Sequence, residues 1–325
     1  MTDLPDGTAH TISAAASTSI TQIRQRVTDW FAREQRDLPW RHPERTAWGV
    51  LVSEVMLQQT PVVRVLPVWQ QWLDRWPEPA ALAADSSGEA VRAWGRLGYP
   101  RRALRLHAAA TKIASDHGGI VPQSIPELRA LPGIGDYTAA AVATFAFGLR
   151  STVVDTNIRR VEARLFQGDA LPAPILTAAE MRLAEELLPE DPGEAVSWNA
   201  AVMELGALVC TARSPQCSIC PVSTECAWIA AGKPAPSYQP KGQPWAGTDR
   251  QLRGAVMAVL RAAEHPVPGE LLHAPAVRLD QRAQPPELTR LYALDSEPSR
   301  LERILEGLVA DGLAVRTEAG LALPS

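Results

Sequence analysis

The spacing of apolar residues along the chain predicts a protein built mainly of helices. Ile23, Val27, Trp30 and Phe31 fall on one helical face within residues 21–35. Residues 48–57 are apolar on nearly every side, which predicts a buried helix. Pro61 suits the first turn of the next helix, whose Val65, Trp69, Trp72 and Trp76 are most simply core. Helical patterns continue through residues 90–114, 161–188 (interrupted near Pro172 and Pro174) and 198–208. Residues 232–247 are rich in Pro, Gly and Lys and read as a linker. Beyond them, Leu252, Val256, Val259 and Leu260 mark one helix, residues 270–272 a short one, and the capping-box pattern Ser299-Arg-Leu-Glu302 a third that ends before Gly312. Residues 313–317 and 321–323 suggest a small terminal hairpin. Three helices and a hairpin have the order of a winged helix. The mixed charge of residues 300–308 favours packing over DNA reading for its third helix.

Punctuation inside this pattern marks a candidate ligand site. Ser124-Ile-Pro-Glu127 predicts the start of a short helix, which Pro132 and Gly133 stop. Gly133 and Gly135 permit a tight turn with approachable backbone, and residues 138–147 form an Ala-rich helix closed by Gly148. Helix, Gly-x-Gly hairpin, helix presents unpaired N–H groups and a helix dipole to an anion. No Gly-Lys-Ser/Thr follows, which excludes a nucleotide P-loop. The absence of a preceding strand and of a third glycine excludes a dinucleotide fingerprint. A plain helical corner would use the same glycines.

Three carboxylates stand out. Asp155 follows the β-branched run Val153-Val154 and precedes an amphipathic helix. Glu54 lies inside the most apolar helix, where a carboxylate is costly unless paired or used as an acid. Glu204 also has apolar neighbours.

The four cysteines, Cys210, Cys217, Cys220 and Cys226, fall within seventeen residues as C-x6-C-x2-C-x5-C. Such crowding in a chain without a secretory signal means a metal site rather than disulfides. Zinc commonly takes two C-x2-C knuckles and only one is present, whereas an iron–sulfur cube takes four cysteines from one compact loop.

Composition adds three limits. The chain has 325 residues, enough for two ordinary domains, and at 46% hydrophobic it has no apolar run of membrane-spanning length. Its small, polar amino-terminal stretch reads as a disordered tail of a cytoplasmic protein. The net charge of -4 is unevenly spread: residues 21–160 carry 18 Lys/Arg and 13 Asp/Glu, hence +5, and the remainder carries -9. Arg92, Arg96, Arg101, Arg102 and Arg105 lie together without an intervening acid, a solvated basic face or a phosphate-binding one.

Taken in order, Leu38-Pro-Trp-Arg41, Ser53-Glu-Val-Met-Leu-Gln-Gln-Thr60, Leu97-Gly-Tyr99, Leu131-Pro-Gly-Ile-Gly-Asp-Tyr137, Val154-Asp-Thr-Asn157, Met203-Glu-Leu-Gly-Ala207 and the cysteine cluster resemble the helix-hairpin-helix DNA glycosylases, the endonuclease III superfamily, and within it the MutY branch. The resemblance covers about residues 21–230. It implies an enzyme of base-excision repair that removes adenine mispaired with 8-oxoguanine or guanine by hydrolysing the N-glycosidic bond. It implies a [4Fe–4S] cluster, mainly structural, on the four cysteines, with Pro221 in its expected place. The partner implied is double-stranded DNA holding an adenine mispair, met by a monomer and away from membranes.

The resemblance also carries roles. Glu54, with a carboxyl pKa raised by its apolar helix, would protonate the departing adenine. Asp155, ionised, would stabilise the cationic sugar, assisted by Tyr137 and Asn157. Leu38, Trp40, Arg41 and Glu204 would surround the base, Gln59 and Tyr99 would fill the gap it leaves, and Gly133 and Gly135 would hold a phosphate. Tyr137 stands where strand-cutting members carry a nucleophilic lysine, so the activity would be monofunctional. Between Cys210 and Cys217 the only basic residue is Arg213, which predicts a weak grip on DNA there. The segment after Gln243 is too short for the Nudix-like domain that reads 8-oxoguanine in MutY enzymes, so reduced opposite-base specificity is expected.

The expected fold is all-α: a two-domain helix-hairpin-helix glycosylase core with an iron–sulfur loop and a small winged-helix-like segment. Residues 1–20 would be a tail, 21–45 with 149–231 the cluster domain, 46–148 a six-helix barrel, 232–247 a linker and 248–325 the winged-helix-like domain. DNA would cross the cleft between barrel and cluster domain, with Glu54 and Asp155 on opposite walls. Competing readings are a thymine or uracil mismatch glycosylase of the same superfamily, whose pocket generally lacks the acid at Glu54, and a non-catalytic iron–sulfur DNA-binding regulator. A zinc-bound structural scaffold would leave two buried acids beside the hairpin unexplained.

Overall fold

The computed structural model describes residues 14–239, 242, 244–273 and 285–325. The expected tail up to residue 13 and linker positions 240, 241 and 243 lie outside them. Two compact units account for the chain: residues 1–37 with 148–240, and residues 38–147 with 241–325. No helix among the described residues is long and apolar enough to cross a membrane.

The first unit opens with α1 (Ala14–Glu34). The second unit follows with α2 (Ala47–Leu57), α3 (Val62–Arg75), α4 (Pro79–Ala83), α5 (Ser87–Ala93), α6 (Arg101–Asp116), α7 (Ile125–Arg129) and α8 (Asp136–Phe147). The chain returns to the first unit as α9 (Thr156–Glu162), a π-helical turn (Ala163–Gln167), α10 (Ala178–Leu187), α11 (Pro192–Leu208) and α12 (Ala227–Ala230). It ends in the second unit with α13 (Asp249–Ala262), α14 (Gly269–His273), α15 (Pro286–Tyr292), α16 (Pro298–Ala310) and the antiparallel hairpin β1 (Val315–Thr317) and β2 (Gly320–Ala322), in which Arg316 pairs with Leu321.

Local chemistry explains several helix starts. Thr46, Ser86, Ser124, Thr177, Asp191 and Thr248 each accept a backbone N–H from the first turn they precede. Two starts differ from the expectation. Helix α1 begins at Ala14, inside the segment read as tail, where an alanine run has high helix propensity. Helix α16 begins at Pro298 after Glu297, without the capping box at Ser299, because Glu302 is engaged by Arg316 and His273.

In the second unit one apolar core runs from Leu38 to Leu321. Its tryptophans meet edge to face: Trp72 lies 4.7 Å from Trp76 and 5.6 Å from Trp94, and Trp40 lies 5.4 Å from Trp69. Residues 252–272 and 288–321, expected as part of a winged-helix-like domain, share this core with residues 38–143. Arg92 donates to the carbonyls of Arg261 and Ala263, and Arg101 pairs with Asp311 at 3.3 Å. A Cβ on Gly88 would fall 2.1 Å from the Pro324 carbonyl oxygen, so the carboxyl-terminal residues press directly on α5.

Candidate active site

In the second unit, α2 carries Glu54 buried between Ser53 and Val55. The Tyr137 hydroxyl, from the first turn of α8, donates to Glu54 Oε2 at 3.1 Å. Tyr137, expected beside the sugar with Asp155, is thus a direct partner of the proposed proton donor. Leu38 and Trp40 are buried at the head of the same unit, and Arg41 is half-buried.

The hairpin has the form a phosphate needs. Ile134 is buried and pins the turn, while Gly133 and Gly135 are exposed on either side of it. Gly133 has φ +78°, and a Cβ there would lie 2.6 Å from the Arg105 Cβ, so only glycine fits. Above Gly135 there is open space, and the first N–H groups of α8 have no partner further back in that helix.

In the first unit, Asp155 is the N-cap of α9. Its Oδ1 accepts the N–H groups of Asn157 (2.9 Å) and Ile158 (2.7 Å), and its Oδ2 accepts Asn157 Nδ2 at 2.7 Å. Burial pushes its carboxyl above the ordinary carboxylate range, against the pull of these three hydrogen bonds and of Arg160. Every bond it makes is accepted, so each favours the charged form against that burial.

Two residues that sequence reasoning missed hold this arrangement. Arg160 Nη2 donates to Asn157 Oδ1 at 2.8 Å and to the Gly206 carbonyl at 2.7 Å, and its Nε donates to the Cys210 carbonyl at 2.8 Å. Gly206 lets α11 touch α9 at the backbone: a Cβ there would be 2.7 Å from Asn157 Cβ. The spacing of Asn157 and Arg160, one helical turn apart, was the available signal. Glu204, expected beside the base, is fully buried with both oxygens bound to Arg36, at 2.8 Å from Nε and 2.6 Å from Nη2, and it also accepts the Arg36 backbone N–H. This geometry suits a structural ion pair.

The four thiols lie within electrostatic reach of one another on one loop. Burial and the neighbouring Cys210, Cys226 and Cys217 push the Cys220 thiol up to about 11. Arg164 Nη1 stands 3.4 Å from Cys210 Sγ, a donor to a sulfur acceptor. Four such thiols become thiolates together only around compensating positive charge, so the donor set fits an iron–sulfur cluster.

A model described as the HhH-GPD superfamily base excision DNA repair protein matches residues 52–186, and one described as the iron-sulfur binding domain of endonuclease III matches residues 210–226. Fold, hairpin and cysteine loop therefore define a base-excision DNA repair protein of the iron–sulfur branch. The adenine DNA glycosylase of Mycolicibacterium smegmatis is 48% identical over 291 residues, covering 90% of this chain and 92% of its own length. The adenine DNA glycosylase of Homo sapiens is 41% identical over 216 residues, covering 64% of this chain and 39% of its own. The solved structure of a thermostable thymine-DNA glycosylase aligns with TM-score 0.60 at 28% identity, covering 67% of this chain and 99% of that one. The chain belongs to the adenine DNA glycosylase family.

Proposed function

We propose that this protein removes adenine from duplex DNA where it faces 8-oxoguanine or guanine, hydrolysing the N-glycosidic bond without cutting the strand. The observation that carries the reading is Glu54, buried in an apolar helix and hydrogen-bonded by Tyr137 at 3.1 Å. Adenine leaves poorly as an anion, and a carboxyl group so placed can supply the proton its ring nitrogen needs. As the C–N bond breaks, its electron pair goes to the protonated adenine and positive charge grows on the sugar. Asp155, held as an acceptor by Asn157 and Ile158, stabilises that charge. Water then adds at C1′ and its proton returns to the Glu54 carboxylate, restoring the enzyme.

The remaining residues bind and orient. Gly133 and Gly135 would hold a DNA phosphate, which positions the duplex without reading sequence. Leu38, Trp40 and Arg41 would surround the extruded base, and the Glu204–Arg36 ion pair would brace the first unit. Gln59 and Tyr99 would fill the gap in the stack, and a mispaired base is the cheapest to extrude. Cys210, Cys217, Cys220 and Cys226 would hold the [4Fe–4S] cluster, which supplies a structural link across the loop. The enzyme acts as a cytoplasmic monomer in this reading, with reduced discrimination between 8-oxoguanine and guanine.

A gel assay decides it. A duplex with one adenine facing 8-oxoguanine is treated with excess enzyme and resolved with and without hot alkali. Cleavage only after alkali is the expected result. Cleavage without alkali would reveal a lyase, and release of thymine or uracil instead would favour the mismatch-glycosylase reading.

A further inference from the structure

Gln59 follows α2 and Tyr99 precedes α6, and both lie in the second unit. Both have left-handed backbone, at φ +55° and +47°. Residues with a Cβ occupy that region only where the surroundings impose it. Each of the two is exposed, yet each stands close to a buried residue, Thr60 in one loop and Leu97 in the other.

Arg102 supplies the constraint. By sequence it belongs to the arginine cluster that suggested a basic face, but it is only 6% exposed. Its Nη1 donates to the carbonyls of Val55, Met56 and Gln58 at 2.9, 2.9 and 2.6 Å. Its Nη2 donates to Thr60 Oγ1 at 2.9 Å and to the Gly98 carbonyl at 3.0 Å. The first three acceptors close α2, where helix geometry leaves carbonyls without partners and the dipole favours a cation. The Thr60 hydroxyl donates onward to the Leu97 carbonyl at 3.2 Å. Trp94 Nε1 also donates to the Gly98 carbonyl, at 3.0 Å, and the Trp94 ring lies 5.1 Å from the guanidinium, within cation–π range.

The carbonyls of Gln58 and Gly98 are the decisive acceptors. Each belongs to the peptide unit that leads into a left-handed residue, and the two sit on the two arms of one planar fork. A lysine offers three donors from a single point and does not span both loops. Without the fork each loop is free to relax to negative φ, which redirects the side chain it carries. Extruding a base costs stacking energy. A wedge ordered before binding gives up no further conformational freedom on entering the gap.

We propose that Arg102 is a positioning residue for base extrusion: its guanidinium fixes Gln59 and Tyr99 as one rigid wedge, so that both side chains enter the DNA stack together. The inference rests on the reading that Gln59 and Tyr99 fill the gap left by the adenine.

The test uses the full chain and a duplex with adenine facing guanine, carrying 2-aminopurine beside the adenine, whose fluorescence rises when its neighbour unstacks. The rate of that rise and of single-turnover adenine release are measured for the wild type, Arg102→Lys, Thr60→Val and Gln59→Ala/Tyr99→Ala, and for the last combined with each of the other two. Arg102→Lys should slow both rates roughly tenfold, the scale of lost charge-assisted hydrogen bonds. It should slow them less than about twofold once Gln59 and Tyr99 are alanine, because the three residues act as a unit. Thr60→Val should show the same dependence with a smaller loss, and it decides the matter where thermal unfolding shows the lysine variant misfolded. Equal fold losses in both backgrounds would overturn the proposal and leave Arg102 a cap on α2. A Gln59→Ala/Tyr99→Ala protein as fast as the wild type would sink the wedge reading and this inference with it. A wild type that releases no adenine would sink the functional reading, while the fluorescence rates still judge Arg102.

Discussion

The Arg160 guanidinium donates to Asn157 Oδ1 at 2.8 Å, and the same amide group donates through Nδ2 to Asp155 Oδ2 at 2.7 Å. The amide is therefore locked in one orientation between a cation and the proposed catalytic carboxylate. Because Arg160 also holds the Cys210 carbonyl, Asp155 and the cysteine loop are braced by one side chain. Arg160→Gln should slow single-turnover adenine release about tenfold or more, the scale of losing charge-assisted hydrogen bonds at a reacting group. Iron content per protein, measured on the same sample, should fall with it. Undiminished rate and iron would refute the bracing role.

The hydrogen bond from Tyr137 to Glu54 separates two kinds of loss. Glu54→Gln removes the proposed proton donor and should abolish adenine release while duplex binding persists. Tyr137→Phe removes one hydrogen bond worth about 1 kcal/mol and should slow release roughly five- to tenfold. Equal loss in both variants would make Tyr137 more than a supporting donor.

Acid should silence the enzyme at higher pH than an ordinary carboxylate would. Burial raises the Asp155 carboxyl, and protonation would remove the charge proposed to stabilise the sugar cation. The acid limb of the single-turnover pH profile should reflect that raised group, and Asp155→Asn should be inactive across the profile. A rate independent of pH down to the ordinary aspartate range would contradict the assignment.

Glu162 predicts a stability effect of opposite kind. It is buried, its Oε2 has no hydrogen-bond partner among the described residues, and burial with the nearby Glu180 and Asp155 charges pushes its carboxyl to about 8. The folded protein keeps the proton while the unfolded chain releases it above the ordinary glutamate value of 4.5. Stability from this group is full below that value and is lost as pH climbs towards about 8. Glu162→Gln should therefore gain on the wild type as pH rises, by roughly 1.4 kcal/mol per pH unit between about pH 4.5 and about pH 8. Denaturant titrations at several pH values would show it; a constant difference would refute it.

Much of this was legible in the sequence because it is local. Apolar periodicity placed α2, α3 and α13, turn chemistry placed the hairpin at Gly133, and cysteine spacing marked the metal loop. The identity of Tyr137 as Glu54's partner was hidden, because the two are far apart in sequence and meet only through packing. Arg36 with Glu204, and Arg160 with Gly206, were hidden for the same reason. Single-sequence patterns register which face is apolar, not which buried charge finds which partner. The sharing of one core by α13–α16 and residues 38–147 was equally unreadable, since amphipathic helices look alike whether they pack on each other or on a neighbour.

Where α11 passes Asn157, Gly206 leaves less room than a methyl group. Asp155 is therefore placed by a contact with no side-chain slack: the distance between the two helices is set by backbone thickness alone. Side-chain packing can absorb a substitution by switching rotamers, but two backbones in contact can only move apart. The smallest residue change available at Gly206 would shift the frame that aims the carboxylate, without touching the carboxylate, the cluster or the base.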